Sequence, residues 1–316
     1  MQAGAGVDQG VTFASEAEAL RLNLDVHDRR LLEVFDPASA LERLATGFGF
    51  LEGPVWHATR SALLFSDIAG DRLYNWSARG GVGVEREPSG MANGNTLDNE
   101  GRLLSCEHAT SHVTRRERDG TQRVIAAQYD GRELNSPNDI VVKSDGSIYF
   151  TDPNFGRRPT RLGVPRPQQQ PCQAVYRIDP DTLALTRLAD DFDQPNGLCF
   201  SLDETRLFVN DSPRGHIRVF DVNADGTLSG GEIWVQLSGD GPGVPDGMKV
   251  DALGRIHCAG PGGVHVFAPD GAALGRLRMP EQTANFTWGD SDRRSLYLTA
   301  STSLYRVRVG PFEALS

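Results

Sequence analysis

The sequence predicts an all-β fold, a six-bladed β-propeller with a short N-terminal extension. Three observations carry this. A turn followed by a short apolar strand recurs six times, the recurrences are regularly spaced, and helical periodicity is nearly absent after residue 45 in a chain of 316 residues with 35 glycines and 18 prolines. The units are Arg60-Ser-Ala-Leu-Leu-Phe-Ser, Glu100-Gly-Arg-Leu-Leu-Ser-Cys, Asp145-Gly-Ser-Ile-Tyr-Phe-Thr, Glu204-Thr-Arg-Leu-Phe-Val-Asn, Leu253-Gly-Arg-Ile-His-Cys-Ala and Arg294-Ser-Leu-Tyr-Leu-Thr. Their first apolar strand residues, Leu63, Leu103, Ile148, Leu207, Ile256 and Leu296, lie 40, 45, 59, 49 and 40 residues apart. A period of about 45 residues is that of a four-stranded propeller blade. A β-sandwich would show turn signals without so long a regular repeat.

Taken in order, residues 1–33 read as an extension, partly helical or disordered, through Ser15-Glu-Ala-Glu-Ala-Leu-Arg-Leu, and residues 34–316 as the propeller. Asp36-Pro offers a helix start, with Asp as cap and Pro in the first turn. Leu41-Glu-Arg-Leu-Ala-Thr before the first repeat and Ser303-Leu-Tyr-Arg-Val-Arg-Val after the last are both strand-like, so one terminus is expected to supply the outer strand that seals the ring. The long third interval contains the Pro-, Arg- and Gln-rich stretch 157–171. Its four prolines, Pro159, Pro165, Pro167 and Pro171, forbid regular ladder pairing, and it is expected to form a loop over the channel mouth.

Counting back 10 or 11 residues from each marker gives Glu52, Asn93, Asn138, Asn196, Asp246 and Asn285. Each is expected just before the innermost strand of its blade, at the mouth of the central channel. Asn-Gly and Asp-Gly pairs also form turns, but Glu52 is not a favoured turn former. A ring of carboxylate and carboxamide oxygens without Cys or His suits a hard divalent cation. Ca²⁺ is favoured, with Mg²⁺, Mn²⁺ or Zn²⁺ as alternatives.

At these residues the chain resembles the gluconolactonase/SMP-30 (regucalcin) family, and in particular its bacterial gluconolactonase branch. The motifs in the first half are Leu51-Glu-Gly-Pro-Val-Trp56, Gly101-Arg-Leu-Leu-Ser-Cys-Glu-His108, Leu134-Asn-Ser-Pro-Asn-Asp-Ile-Val-Val142 and Asp145-Gly-Ser-Ile-Tyr-Phe-Thr-Asp-Pro153. Those in the second half are Pro195-Asn-Gly197, Val244-Pro-Asp-Gly-Met248 and Gly260-Pro-Gly-Gly-Val264. The resemblance runs from about residue 33 to the C-terminus. It implies a propeller lactonase with one divalent cation held by Glu52, Asn138, Asn196 and Asp246, leaving Asn93 and Asn285 to the pocket wall. Ser136 stands where the vertebrate-type branch has Arg. Asn285-Phe-Thr-Trp288 departs from a Gly-rich stretch, which makes Trp288 a candidate to shape the substrate pocket.

Lactone hydrolysis needs a polarised carbonyl, a water nucleophile and a base. Asp246 is the favoured base, and Asp139, beside a ligand, is the second candidate. His108 is a candidate for binding substrate hydroxyls or the leaving oxygen, and Asp211, at a strand end, for pocket contact. The expected partner is a small-molecule sugar lactone, opened to its aldonic acid. The alternatives are a phosphotriesterase-like hydrolase on the same calcium site and a non-catalytic ligand-binding propeller. No G-x-S-x-G, G-x-G-x-x-G or P-loop pattern points to a serine esterase or a nucleotide site.

A net charge of −10 argues against nucleic acid as partner. Apolar runs too short for a membrane span and no visible signal peptide give a cytoplasmic expectation with no membrane partner. The sequence carries no signal for an oligomeric state. The four cysteines form no C-x-x-C pair, so no zinc or thioredoxin-type site is expected. Only Lys143 and Lys249 are lysines, the other basic residues being Arg, which reads as compositional bias.

Overall fold

The structure is a computed structural model and describes residues 12–310. Six antiparallel sheets surround a central channel. Blade 1 runs Leu51–His57, Ala62–Asp67, Arg72–Ser77 and Gly81–Arg86, and blade 2 runs Ala92–Leu97, Leu103–Glu107, His112–Arg116 and Gln122–Ala126. Blade 3 is Ile140–Val142, Ile148–Asp152, Gln173–Ile178 and Leu185–Phe192, and blade 4 is Pro195–Phe200, Arg206–Asp211, His216–Val222 and Leu228–Gln236. Blade 5 is Met248–Val250, Ile256–Gly260, Gly263–Phe267 and Ala273–Arg278, and blade 6 contributes Thr283–Gly289, Ser295–Ala300 and Ser303–Arg308.

The first strand of each blade touches the first strands of both neighbours, so these six strands line the channel. This corrects one expectation. The apolar marker strands are second in each blade, not innermost, and the ring residues lie on or just before the innermost strands. The reason is physical. A second strand is covered on both faces by neighbouring blades, and Ala62–Asp67, Ile148–Asp152, Ile256–Gly260 and Ser295–Ala300 are buried throughout. A channel-lining strand carries polar groups and glycines, so its apolar signal is weak.

In five of the six units the turn before the marker is held by its own Asp or Gly; before Leu63 it is the 3-10 turn Ala58–Arg60, closed by Ser61 at φ +48°. Asp98 Oδ1 accepts from the Glu100 and Arg102 amides and Asp251 Oδ1 from those of Leu253 and Arg255. Gly101, Gly146 and Gly254 have φ of +75°, +88° and +77°, a region that favours glycine. Between blades the packing is apolar and aromatic. Trp56 stacks on Tyr297 at 5.5 Å, over Gly289, where a Cβ would meet the indole at 2.6 Å.

Ala40–Thr46 pairs with Ser303–Arg308 and supplies the fourth strand of blade 6, so the N-terminal side seals the ring. The extension departs from expectation. Thr12–Arg21 is a strand paired outside Ala40–Thr46, and Asn23–Val26 is a fifth strand on blade 5 beside Ala273–Arg278. The helix propensity of the Ala- and Glu-rich stretch is overridden by open sheet edges that offer unpaired backbone groups. Residues 1–11 of the extension lie outside the described residues. Asp36-Pro starts no helix. Among the described residues the single α-helical segment is Leu31–Val34, and Asp36 closes a turn by accepting from the Ala38 amide. Among the described residues no helix is long and apolar enough to cross a membrane, and the four cysteines are free.

Candidate active site

At the channel mouth the innermost strands are irregular where the ring residues sit. The register shifts between Glu52 and Val55, between Ala92 and Asn95, between Pro195 and Leu198, and between Thr283 and Asn285. In blades 3 and 5 the ladder begins only after Asn138 and Asp246. A bulge bends the strand and re-aims a side chain. The glycine that follows a donor is a point of close approach between blades, not a turn. A Cβ would come within 2.0 Å of Asn93 O at Gly53, 2.4 Å of Asn138 O at Gly94, 2.1 Å of Asp246 O at Gly197 and 2.1 Å of the Asn285 carboxamide at Gly247. Of these four only Gly53 also has a positive φ, +52°. Polar side chains of second strands tie down donor backbones, as Ser66 Oγ donates to Asn93 O and Thr151 Oγ1 to Asn196 O, both at 2.8 Å.

A cavity of about 230 Å³ opens at this mouth. Glu52, Asn93, His108, Asn138, Asn196 and Asp246 line it together with Phe50, Ile68, Val244 and Gln282. Its roof is the segment after Asp152, through Phe155, Arg158, Thr160 and Leu162, so part of 157–171 does cover the mouth. The cover is bolted down. Arg157 is buried, donating to Asn135 O and Pro167 O at 2.6 Å and to Ser111 Oγ at 3.1 Å, and it pairs with Glu133 at 2.8 Å.

The electrostatics centre on three buried carboxyls, Glu52, Asp139 and Asp246. Burial, then the nearby Asp139 charge, pushes Glu52 from 4.5 up to about 7. Burial and the Glu52 charge hold Asp246 well above the ordinary carboxylate range, and the two carboxyls lie within hydrogen-bonding reach of each other. Burial also raises Asp139, against the pull of Lys249. Asn196 Nδ2 donates to Ser212 Oγ at 3.0 Å, which leaves Asn196 Oδ1 buried without a partner; Asp139 Oδ2 is likewise unpartnered. Ser212 therefore orients a ring residue. Nothing in the sequence marks it beyond its place after a second strand.

His108 Nδ1 lies 2.7 Å from Leu162 O, and His108 Nε2 lies 3.0 Å from Asn93 Nδ2. A carbonyl only accepts, so Nδ1 carries the proton and Nε2 accepts from Asn93. Burial holds the imidazole down at about 4, in keeping with this neutral form.

The remaining candidates are placed as follows. Asn285 and Asp139 lie beneath the cavity and not on its wall. Trp288 does not reach it. Three residues farther along the strand, about 10 Å, it packs edge-on against His257 at 5.2 Å and lines a separate cavity at the other side of the ring. Asp211 serves backbone, accepting from the Asp193 and Gln194 amides.

The donor set fits a hard divalent cation. Two carboxyls lie close together, a third is near, and an amide oxygen lacks any donor. Among the described residues no three His, Cys, Asp or Glu side chains converge as a metal site, so a cation would draw on the carboxamides of Asn138 and Asn196 as well.

Comparison with known proteins gives a consistent picture. Residues 50–302 match the SMP-30/Gluconolactonase/LRE-like region family. A gluconolactonase of Zymomonas mobilis is 30% identical over 306 residues, 90% of this chain and 85% of that protein. A pentonolactonase of Haloferax volcanii is 28% identical over 257 residues, 79% of this chain and 81% of its own length. A solved gluconolactonase structure from Xanthomonas campestris superposes with a TM-score of 0.87 at 34% identity, covering 94% of this chain and 98% of that one.

Proposed function

The chain belongs to the SMP-30/gluconolactonase/LRE-like family, and from that premise we propose that it hydrolyses a sugar lactone to its aldonic acid at the channel-mouth cavity. Glu52, Asn138, Asn196 and Asp246 would hold a divalent cation, Ca²⁺ first. The observation that carries the reading is that the buried carboxyls of Glu52 and Asp246 line one cavity beside Asn196, whose amide oxygen is unpartnered, with the carboxyl of Asp139 beneath. Such a cluster is unfavourable unless a cation faces it. When bound, the cation supplies Lewis-acid polarisation of the lactone carbonyl and acidifies water.

The chain's residues supply the rest. Asp246 lines the cavity and accepts the proton of the attacking water, while Asp139 supports the cluster from beneath. Both ring nitrogens of His108 are engaged, so it acts through Asn93. It fixes the Asn93 amide nitrogen and leaves the amide oxygen for a substrate hydroxyl. Phe50, Ile68 and Val244 give an apolar wall for the ring carbons, and the roof limits entry of bulk water. A cavity of about 230 Å³ suits a monosaccharide-sized ligand, below the usual range for larger ones.

The test is titration of the acid released from glucono-1,5-lactone, above its spontaneous rate. It is run on enzyme as prepared, after chelation, and after return of Ca²⁺. Loss on chelation and recovery with Ca²⁺ are expected. No release from any of a panel of aldonolactones would exclude the assignment.

A further inference from the structure

Lys249 is one of two lysines in a chain whose other basic residues are arginine, and it sits on the innermost strand of blade 5, three residues past Asp246. Its Nζ donates to Asn285 Oδ1 at 3.3 Å. The same oxygen accepts from the Phe286 amide at 2.9 Å. With Oδ1 occupied by two donors, the other end of the carboxamide, Nδ2, is left to face Glu52 and Asp139. Asn285 is thereby a strut and not a cation ligand. Lys249 is the cation that lowers Asp139, and among the described residues lining the cavity only Arg158, in the exposed roof, is cationic.

We propose that Lys249, acting through Asn285, is a positioning residue that sets the charge of the cation site. It offsets one of three carboxylates, so that the cluster is matched to a divalent ion. Glu52, Asp139 and Asp246 together carry three negative charges when ionised, and a divalent ion with Lys249 brings three positive ones. The position also explains why a cation faces the channel here at all. From this strand the ammonium reaches the floor of the cluster without entering the cavity, whose lining does not include it. On its other side it borders the far cavity with Val250, Thr287 and Trp288. A compact point charge on a flexible stem suits such a place better than a planar guanidinium fork.

The proposal rests on the cation reading above, and the test separates the two. Ca²⁺ affinity is measured by calorimetry at pH 8, and Tb³⁺ affinity by luminescence titration. Wild type, Lys249→Met, Lys249→Gln and Lys249→Arg are compared, each first checked for cooperative melting. Removal of the charge should tighten Ca²⁺ on the order of tenfold. Because the interaction scales with ion charge, the Tb³⁺ shift should be about one and a half times as large in decades. Lys249→Arg should restore both affinities to near wild type. A merely structural lysine would move both ions equally and in the weakening direction. Unchanged or weaker Ca²⁺ affinity in both Lys249→Met and Lys249→Gln would overturn the proposal while leaving the cation site standing. Absence of Ca²⁺ binding by wild type would overturn the site reading and the proposal with it.

Discussion

Replacing Glu52 by Gln should stabilise the protein without cation and abolish the stabilisation that cation brings. In the folded chain Glu52 is buried and raised from 4.5 to about 7, chiefly by desolvation and then by the Asp139 charge. A carboxyl raised on folding binds more protons folded than unfolded between those two values. Its contribution therefore falls as pH climbs through that window and stays lost above it. Two and a half units correspond to about 3 kcal/mol, an upper figure for one member of a mutually repelling group. For a chain of 316 residues, unfolding entropy near the midpoint is about 0.7 kcal/mol/K, so the whole effect is about 4–5 °C in Tm. Melting is followed by circular dichroism at pH 5 and pH 8, with chelator and with Ca²⁺. Chelated wild type should lose stability between the two pH values more steeply than Glu52→Gln. At pH 8 the variant should melt above chelated wild type, and Ca²⁺ should raise only the wild type. A variant that melts below chelated wild type at pH 8, or that gains as much from Ca²⁺, would refute the reasoning.

Four further outcomes follow from the same geometry. Asp246→Asn keeps an oxygen at the cavity but removes the proton acceptor, so kcat at saturating Ca²⁺ should fall roughly 10²–10⁴-fold; a wild-type rate there would leave Asp246 only a binding role. Gly197→Ala places a Cβ 2.1 Å from Asp246 O and should cost about 1–3 kcal/mol while weakening Ca²⁺ binding, read by denaturant melts and calorimetry. Arg157→Met unfastens the roof and should lower stability by about 1–3 kcal/mol as KM rises, the joint change distinguishing a bolted cover from a free lid. Trp288→Phe should leave kcat and KM with the lactone unchanged, since the indole faces the far cavity.

The ring of six units was legible because a strand covered on both faces must be apolar, and that signal repeats at every blade. The same physics hid which strand lines the channel. Ile140–Val142 and Met248–Val250 are three residues long and carry little hydrophobic contrast. The ring donors could be found because they keep a fixed offset from the apolar strand. Their aim could not, since it comes from bulges and inter-blade glycine contacts set by blade geometry. The strands at 12–26 were illegible for a different reason. Asn23–Val26 pairs with a strand of blade 5 far along the chain, Thr12–Arg21 pairs with Ala40–Thr46 across an intervening strand and helical turn, and the local Ala and Glu composition carries no trace of either partner. Arg157 stood unremarked among other arginines because only the folded chain reveals that it is buried.

The seal on blade 6 has a consequence for how the molecule comes into being. Ser303 donates to Thr46 at 2.8 Å across a separation of 257 residues, and the strands bearing them lock the last sheet. During synthesis the segment 40–46 emerges before the five blades that follow it, and the edge away from Thr12–Arg21 waits unpaired while they are made. Its partner is made about 257 residues later, so the circle can close only after that strand has emerged. Loop closure over such a distance is slow, and an idle edge strand invites pairing with another nascent chain. Loss of residues 303–308 would therefore be felt by a strand made some 250 residues earlier.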